Sequence, residues 1–230
     1  RNRMVFMTFY EKLLAETETE RAALLSSELI NVAMSGRMTT DIYTRFLTEA
    51  YHHVKHTVPL LMRSGSAVSA DFEFYRTGMA EYVEEELGHQ EWVLNDIAAC
   101  GGDKEAVRFG TPSLATESMV AYAYYTIDHI NPIDFLGMVH VLEGTSVKVA
   151  DEAAVKIRQV TGLPKKAFTY LTSHGALDIE HVKFFENLVN RIGGAQDQAD
   201  IIHAAKRFYA LYKGVYDSVL LGHVHLAKAS

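Results

Sequence analysis

Residues 82–97 read YVEEELGHQEWVLNDI, and the spacing of side chains in this stretch decides how the rest of the chain is read. Apolar residues return every three or four positions, the period of a helix that buries one face. Tyr82 and Trp92 or Val93 extend the face on which Glu86 and His89 lie three residues apart. A Glu-x-x-His pair on the inner face of a bundle helix is the recurrent half-site of carboxylate-bridged diiron and dimanganese proteins. The same residues also suit a charged outer face made by Glu84, Glu85 and Glu86 with His89 incidental, and Glu85 replaces Glu86 as the partner if the helix is turned slightly.

The helical period continues outward in both directions. Four prolines are present in all, and no stretch alternates with period two between turn residues. The pattern predicts helices over roughly 10–35, 39–61, 71–100, 116–130, 132–160, 165–192 and 196–221, with 108–113 as a loop. Gly36, Gly101-Gly102, Asn131-Pro132, Gly162 and Gly193-Gly194 separate them, and Gly175 weakens the sixth. About seven helices with short connections imply an all-α bundle forming one domain over residues 1–230, and bundles build ligand sites from inward side chains of neighbouring helices.

Three other stretches carry chemistry. In SHGALDIEH (173–181), His174, Asp178 and His181 fall at i, i+4 and i+7, on one narrow stripe that can bind metal or face water. In GMVHVLEGTSVKVA (137–150), Glu143 follows largely apolar residues. A buried carboxylate needs a partner, either a cation or a core contact such as His140 one turn earlier. In EAYHHVKHT (49–57), Glu49, His52 and His56 can face one way with His53 at the edge. His52 is a further ligand candidate, His56 and Glu49 are placed around it or against substrate, and an exposed histidine-rich face is the competing reading. Taken together, Glu86, His89, Glu143, His174, Asp178 and His181 supply three imidazoles and three carboxylates, a mixture suited to iron or manganese with open positions rather than to closed structural zinc. Tyr51, Tyr82, Trp92, Phe135 and Met138 are candidates for a pocket wall.

Composition narrows the partners. The formal charge of −7, with no basic cluster, argues against nucleic acid. Apolar runs end before the ~18 residues that a membrane span needs. Cys100 is the only cysteine, so thiolate clusters and internal disulfides are excluded and a reducing cytoplasm is expected. An apolar stripe near the C-terminus, Ile202, Ala205, Phe208, Tyr209 and Tyr212, serves either core packing or a homodimer.

The stretch GRMTTDIYTRFLTEAYHHVKHT (36–57) resembles the second helical segment of the heme-oxygenase-like superfamily, which includes the thiaminase-II and pyrroloquinoline-quinone synthase branches. EEELGHQEWVLNDIAACGG (84–102), VLEGTS (141–146) and SHGALDIEHVKFFENL (173–188) resemble its iron-containing redox branch, the heme-oxygenase-like diiron oxidases, and the likeness runs from about Leu24 to Tyr212. The resemblance implies a heme-oxygenase-like bundle. It implies one or two non-heme iron ions held by Glu86, His89, Glu143, His174, Asp178 and His181, with manganese as the alternative metal, and dioxygen acting on a small molecule such as an amino acid or fatty acid derivative. Some members place a carboxylate seven residues before the histidine, where this chain has Tyr82, and others carry a carboxylate near His52. The heme-binding branch needs a histidine early in the first helix, and none precedes His52, which implies no heme. The thiaminase branch uses a cysteine near the C-terminus, whereas Cys100 lies mid-chain. The alternatives are a metal-independent enzyme of the same fold and a non-enzymatic metal- or ligand-binding protein.

Gly175 sits inside the last ligand trio, where glycine costs a helix about 1 kcal/mol relative to alanine, so metal binding should be coupled to local order. Amide hydrogen exchange over 174–181 is expected to slow when iron is added. Identical exchange with and without iron contradicts the coupling.

Overall fold

Local chemistry sets where each helix starts. The computed structural model describes residues 7–176 and 178–227, with side chains for all of these except 174–179 and 222–227. Thr8 and Glu11 exchange side chain–amide bonds in a capping box that opens α1 (Phe9–Glu16). It is followed by α2 (Glu18–Leu25) and α3 (Glu28–Met34). Thr39 caps α4 (Thr40–Val54), which leads to α5 (Thr57–Ala67), α6 (Glu73–Glu86) and α7 (His89–Ala99). Asp103 caps the short α8 (Lys104–Arg108), and Ser113 caps α9 (Leu114–His129). A turn at Pro132–Asp134 precedes α10 (Phe135–Thr161), and α11 (Thr169–Ala176), α12 (Asp178–Val189) and α13 (Ala195–Ala227) complete the chain. No strand occurs among the described residues.

The all-α expectation holds, but several expected rods are broken. The segment expected over 10–35 is three helices, that over 39–61 turns at Lys55–His56, and that over 71–100 breaks at Leu87–Gly88. The sixth opens with a short turn at Lys165–Ala167 before α11, and α8 is an additional short helix that reaches only Arg108 of the stretch read as loop. The reason is physical: both sides of a break bury apolar residues in the same core, so the three-to-four spacing survives an interruption of one or two residues.

α10 is the central rod, with α3, α11, α12 and α13 packed around it, while α4 lies on α7 and α9 and α5 lies on α6. Buried side chains from α1 to α13 form one contiguous cluster. The α10–α13 crossing is close because Gly137 has no side chain, and a Cβ there would sit 2.7 Å from the Ala205 amide nitrogen. Ile202, Ala205, Phe208, Tyr209 and Tyr212 are all buried within the chain, so the C-terminal stripe is used to pack α13 on its own core. Asp96, fully buried on α7, accepts the Thr169 and Tyr170 amides at 3.1 and 2.7 Å. It thereby caps α11 from a neighbouring helix and ties the two together. No helix among the described residues is long and apolar enough to cross a membrane.

Gly137→Val should lower the unfolding free energy by about 3 kcal/mol, because α10 and α13 must part to admit it. Gly144→Ala, where an added Cβ meets nothing within 4 Å, should raise it slightly. Urea unfolding of both variants checks the pair, and equal effects would contradict the assigned crossing.

Candidate metal centre

The break at Leu87–Gly88 shapes the centre. Gly88 takes φ +87°, a left-handed conformation that suits glycine, so α6 ends on Glu86 and a new helix begins on His89. The two side chains meet across this corner, with Glu86 Oε2 2.8 Å from His89 Nδ1. The His89 ring is buried and stacks on Trp92 with centroids 4.0 Å apart, which fixes its plane. From α10, Glu143 reaches the same region. Its Oε2 accepts from the Tyr82 hydroxyl at 3.5 Å, and its Oε1 lies 4.0 Å from His181 Nδ1. The other nitrogen of His181, Nε2, lies 2.9 Å from Glu85 Oε2.

Charge is unevenly matched here. Burial, followed by the nearby Glu86 and Glu85, pushes the Glu143 carboxyl well above the usual carboxylate range. Burial, followed by Glu143 and Glu85, pushes the Tyr82 phenol up as well, so it remains a donor. Glu143 faces two further carboxylates, with imidazoles as the nearest nitrogen groups. This is a nitrogen- and oxygen-donor set with an excess of negative charge, which fits a divalent cation such as iron or manganese. Among the described residues the donors meet as close pairs, and no three of them form an assembled ligand group. The expected ligands His174 and Asp178 lie outside the residues whose side chains are described.

Beside the carboxylates lies a cavity of about 70 Å³ whose walls include Tyr82, Phe135, Met138, Leu142, Tyr170 and Tyr212, with Glu86 and Glu143 as its acids. A second cavity of about 60 Å³, apolar except for tyrosines and a serine, shares Ser146, Tyr170 and Tyr212 with the first. Tyr82, Phe135 and Met138 of the expected pocket wall line the first cavity. Trp92 instead backs His89, and Tyr51 packs against His52 with Lys55 over its ring.

The histidine-rich turn is distributed differently from its sequence reading. His52 is buried against Tyr51, and its Nδ1 has no hydrogen-bond partner among the described residues. Burial and Lys55 lower its pKa, and no contact joins it to Glu86 or Glu143. His53, expected at the edge, is also buried and packs edge-on against Tyr212 of the cavity wall. His56 bonds the Tyr124 hydroxyl at 3.0 Å and so links the start of α5 to α9. Glu49 accepts from the Ser113 amide at 3.2 Å and from the Thr116 hydroxyl, which makes it a clamp on the start of α9. His140 is stacked on Phe185 beside Tyr209, with its pKa lowered to about 4 by burial and then Arg21, and it faces a different cleft. The Glu85–His181 pair was within reach of the sequence, since Glu85 was the alternative partner on α6. The stacking of Trp92 on His89 was also legible as an i, i+3 pair.

Comparison with known proteins agrees with this architecture. The model of a family described as iron-containing redox enzyme matches residues 44–213. A domain with a heme oxygenase-like fold from Shewanella denitrificans is 23% identical, with a TM-score of 0.87 over 99% of this chain and 97% of that one. A TenA homologue from Pseudomonas syringae is 12% identical, with a TM-score of 0.80 over 96% and 98%. Heme oxygenase from Leptospira interrogans is 18% identical, with a TM-score of 0.73 over 92% and 100%. No curated protein matches the sequence.

In metal-free protein the folded state holds the Glu143 proton more tightly than the unfolded chain does. That contribution to stability is present at low pH and is lost as pH rises from the ordinary value of 4.5 through the raised folded value. Glu143→Gln should therefore flatten the fall in unfolding free energy with rising pH when a chelator is present. Parallel pH profiles for the two proteins would show that Glu143 is not held in this way.

Proposed function

The chain belongs to the iron-containing redox enzyme family, and we propose that it is a non-heme iron oxidase or oxygenase acting with dioxygen on a small organic substrate such as an amino acid or fatty acid derivative. The observation that carries the reading is that Glu86 and Glu143 line a largely apolar cavity while the close pairs Glu86–His89, Glu85–His181 and Glu143–His181 adjoin it, with Glu85 and Glu86 near enough to raise the Glu143 pKa. Glu86, His89, Glu143 and His181 would hold one or two iron ions, joined by His174 and Asp178, and manganese is chemically compatible with the same donors. When bound, such a metal supplies the binding and activation of dioxygen.

The remaining work falls to the chain's own side chains. Tyr82 donates to Glu143 and restrains its carboxylate, Glu85 holds His181 from the far nitrogen, and Trp92 fixes the plane of His89. Phe135, Met138 and Leu142 exclude water from the space next to the carboxylates. The small volume there admits only the reacting part of a substrate. The second cavity, behind Ser146, Tyr170 and Tyr212, offers apolar room for more of it.

A thiaminase-like reading needs a reactive thiol. Cys100, half-buried at the end of α7, has its thiol pushed up to about 11 by burial, and it does not line the carboxylate cavity. A heme-dependent reading is disfavoured because residues 1–51 hold no histidine to ligate it. Anaerobic titration with Fe(II) separates these readings. One or two equivalents should bind, oxygen should then be consumed, and Glu86→Gln or His89→Ala should weaken iron binding by at least about tenfold. Turnover of substrate that is unchanged by chelation would exclude the iron reading.

A further inference from the structure

On the other side of Glu143 from the apolar cavity lies a larger cleft, of about 370 Å³, between α1, α2, α10, α12 and α13. It carries cations as well as an acid. Arg21 and Lys148 supply two cations, and Tyr10, His140 and Tyr209 supply polar edges. The Arg21 guanidinium is anchored by the Leu14 carbonyl at 3.1 Å and approaches the Thr17 hydroxyl at 3.5 Å, and it makes no ion pair among the described residues. Lys148, at the rim, makes none either. Glu143 and Glu186 act on Tyr10, and Glu20 acts on Tyr209. Glu143 is engaged by Tyr82 and His181 and Glu20 lies 4.0 Å from Lys206, which leaves Glu186 facing the two cations.

The floor of the cleft is Gly144, in the interior of α10. Glycine there costs the helix about 1 kcal/mol relative to alanine, and close packing does not require it, because an added Cβ would meet nothing within 4 Å. An anchored arginine that makes no ion pair among the described residues, a second cation and a helix surface left bare beneath them share one cleft.

We propose that this cleft binds the carboxylate end of a small organic acid, with Arg21 as the directional partner and Lys148 as the second charge. Arginine's planar fork matches a carboxylate in a way that a point charge does not. The Tyr10 and Tyr209 hydroxyls can donate to the same anion, and Gly144 leaves room for the chain that carries it. The inference rests on the reading of the protein as one that acts on a small organic molecule. It concerns a surface that the metal reading does not use, apart from Glu143 at the boundary.

Binding is read in metal-free full-length protein by isothermal titration, so that failure of the anion site and failure of the iron site are scored separately. The probes are hexanoate, hexanol, hexylamine and inorganic phosphate. Hexanoate should bind at least about tenfold more tightly than the other three, the scale of one charge-assisted hydrogen bond. Arg21→Gln should remove most of that preference, Lys148→Gln should reduce it by about threefold, and Glu86→Gln should leave it intact. Gly144→Leu fills the cleft without touching Arg21 and should abolish hexanoate binding while circular dichroism stays that of the parent. Equal binding of hexanoate and hexanol, equal binding of phosphate, or undiminished hexanoate binding in either the Arg21 or the Gly144 variant overturns the proposal.

Discussion

Repulsion among the carboxylates of Glu143, Glu86 and Glu85 is the constraint around which the centre of this bundle is organised. A carboxylate shielded from water is stable only when it is protonated, hydrogen-bonded or matched by positive charge, and on half-buried Glu143 desolvation and two like charges act together. One phenol, Tyr82, and the imidazole of His181 partly relieve the strain. A divalent cation would relieve it fully and would also draw in His89 and His181, which already stand next to carboxylates. Metal binding there would be coupled to the stability of this region through one electrostatic balance.

The surrounding fold holds these groups without using them up. Gly88 ends α6 on one ligand candidate and starts α7 on the next, so the corner geometry is set by the backbone. Asp96 then fastens α7 to the start of α11, the helix that carries His174, through two amide bonds that are independent of any metal. Gly137 lets α10 lie directly on α13, and this fixes the rod from which Glu143 projects. The apolar cavities and the cationic cleft lie on opposite sides of Glu143, so the same residue borders both.

Much of this was legible in the sequence, and the limits have physical causes. The all-α class followed from apolar spacing, and Glu86, His89, Glu143 and His181 could be singled out because acids and imidazoles rarely fall on inward faces without a reason. The helix breaks were hidden, since spacing reports which face is buried and is blind to a short interruption of hydrogen bonds. The roles of Glu49, His52 and His56 were hidden for a different reason. Their neighbours, Ser113, Tyr51 and Tyr124, are set by local phase and by distant chain segments, so Glu49 and His56 join α9 to α4 and α5 while His52 rests against its own neighbour Tyr51. Arg21 and Lys148 lie 127 positions apart and carry no shared motif, so only the packing of α2 against the bundle brings them to one cleft.

The central claim is that side chains from separate helices close on a common cation. Anomalous X-ray scattering at the iron edge, from crystals grown anaerobically with Fe(II), tests it directly. The account predicts one or two iron peaks bonded to Glu86, His89, Glu143 and His181. Iron found only at other residues, or Glu143 left without metal while iron is bound elsewhere in the chain, would contradict it.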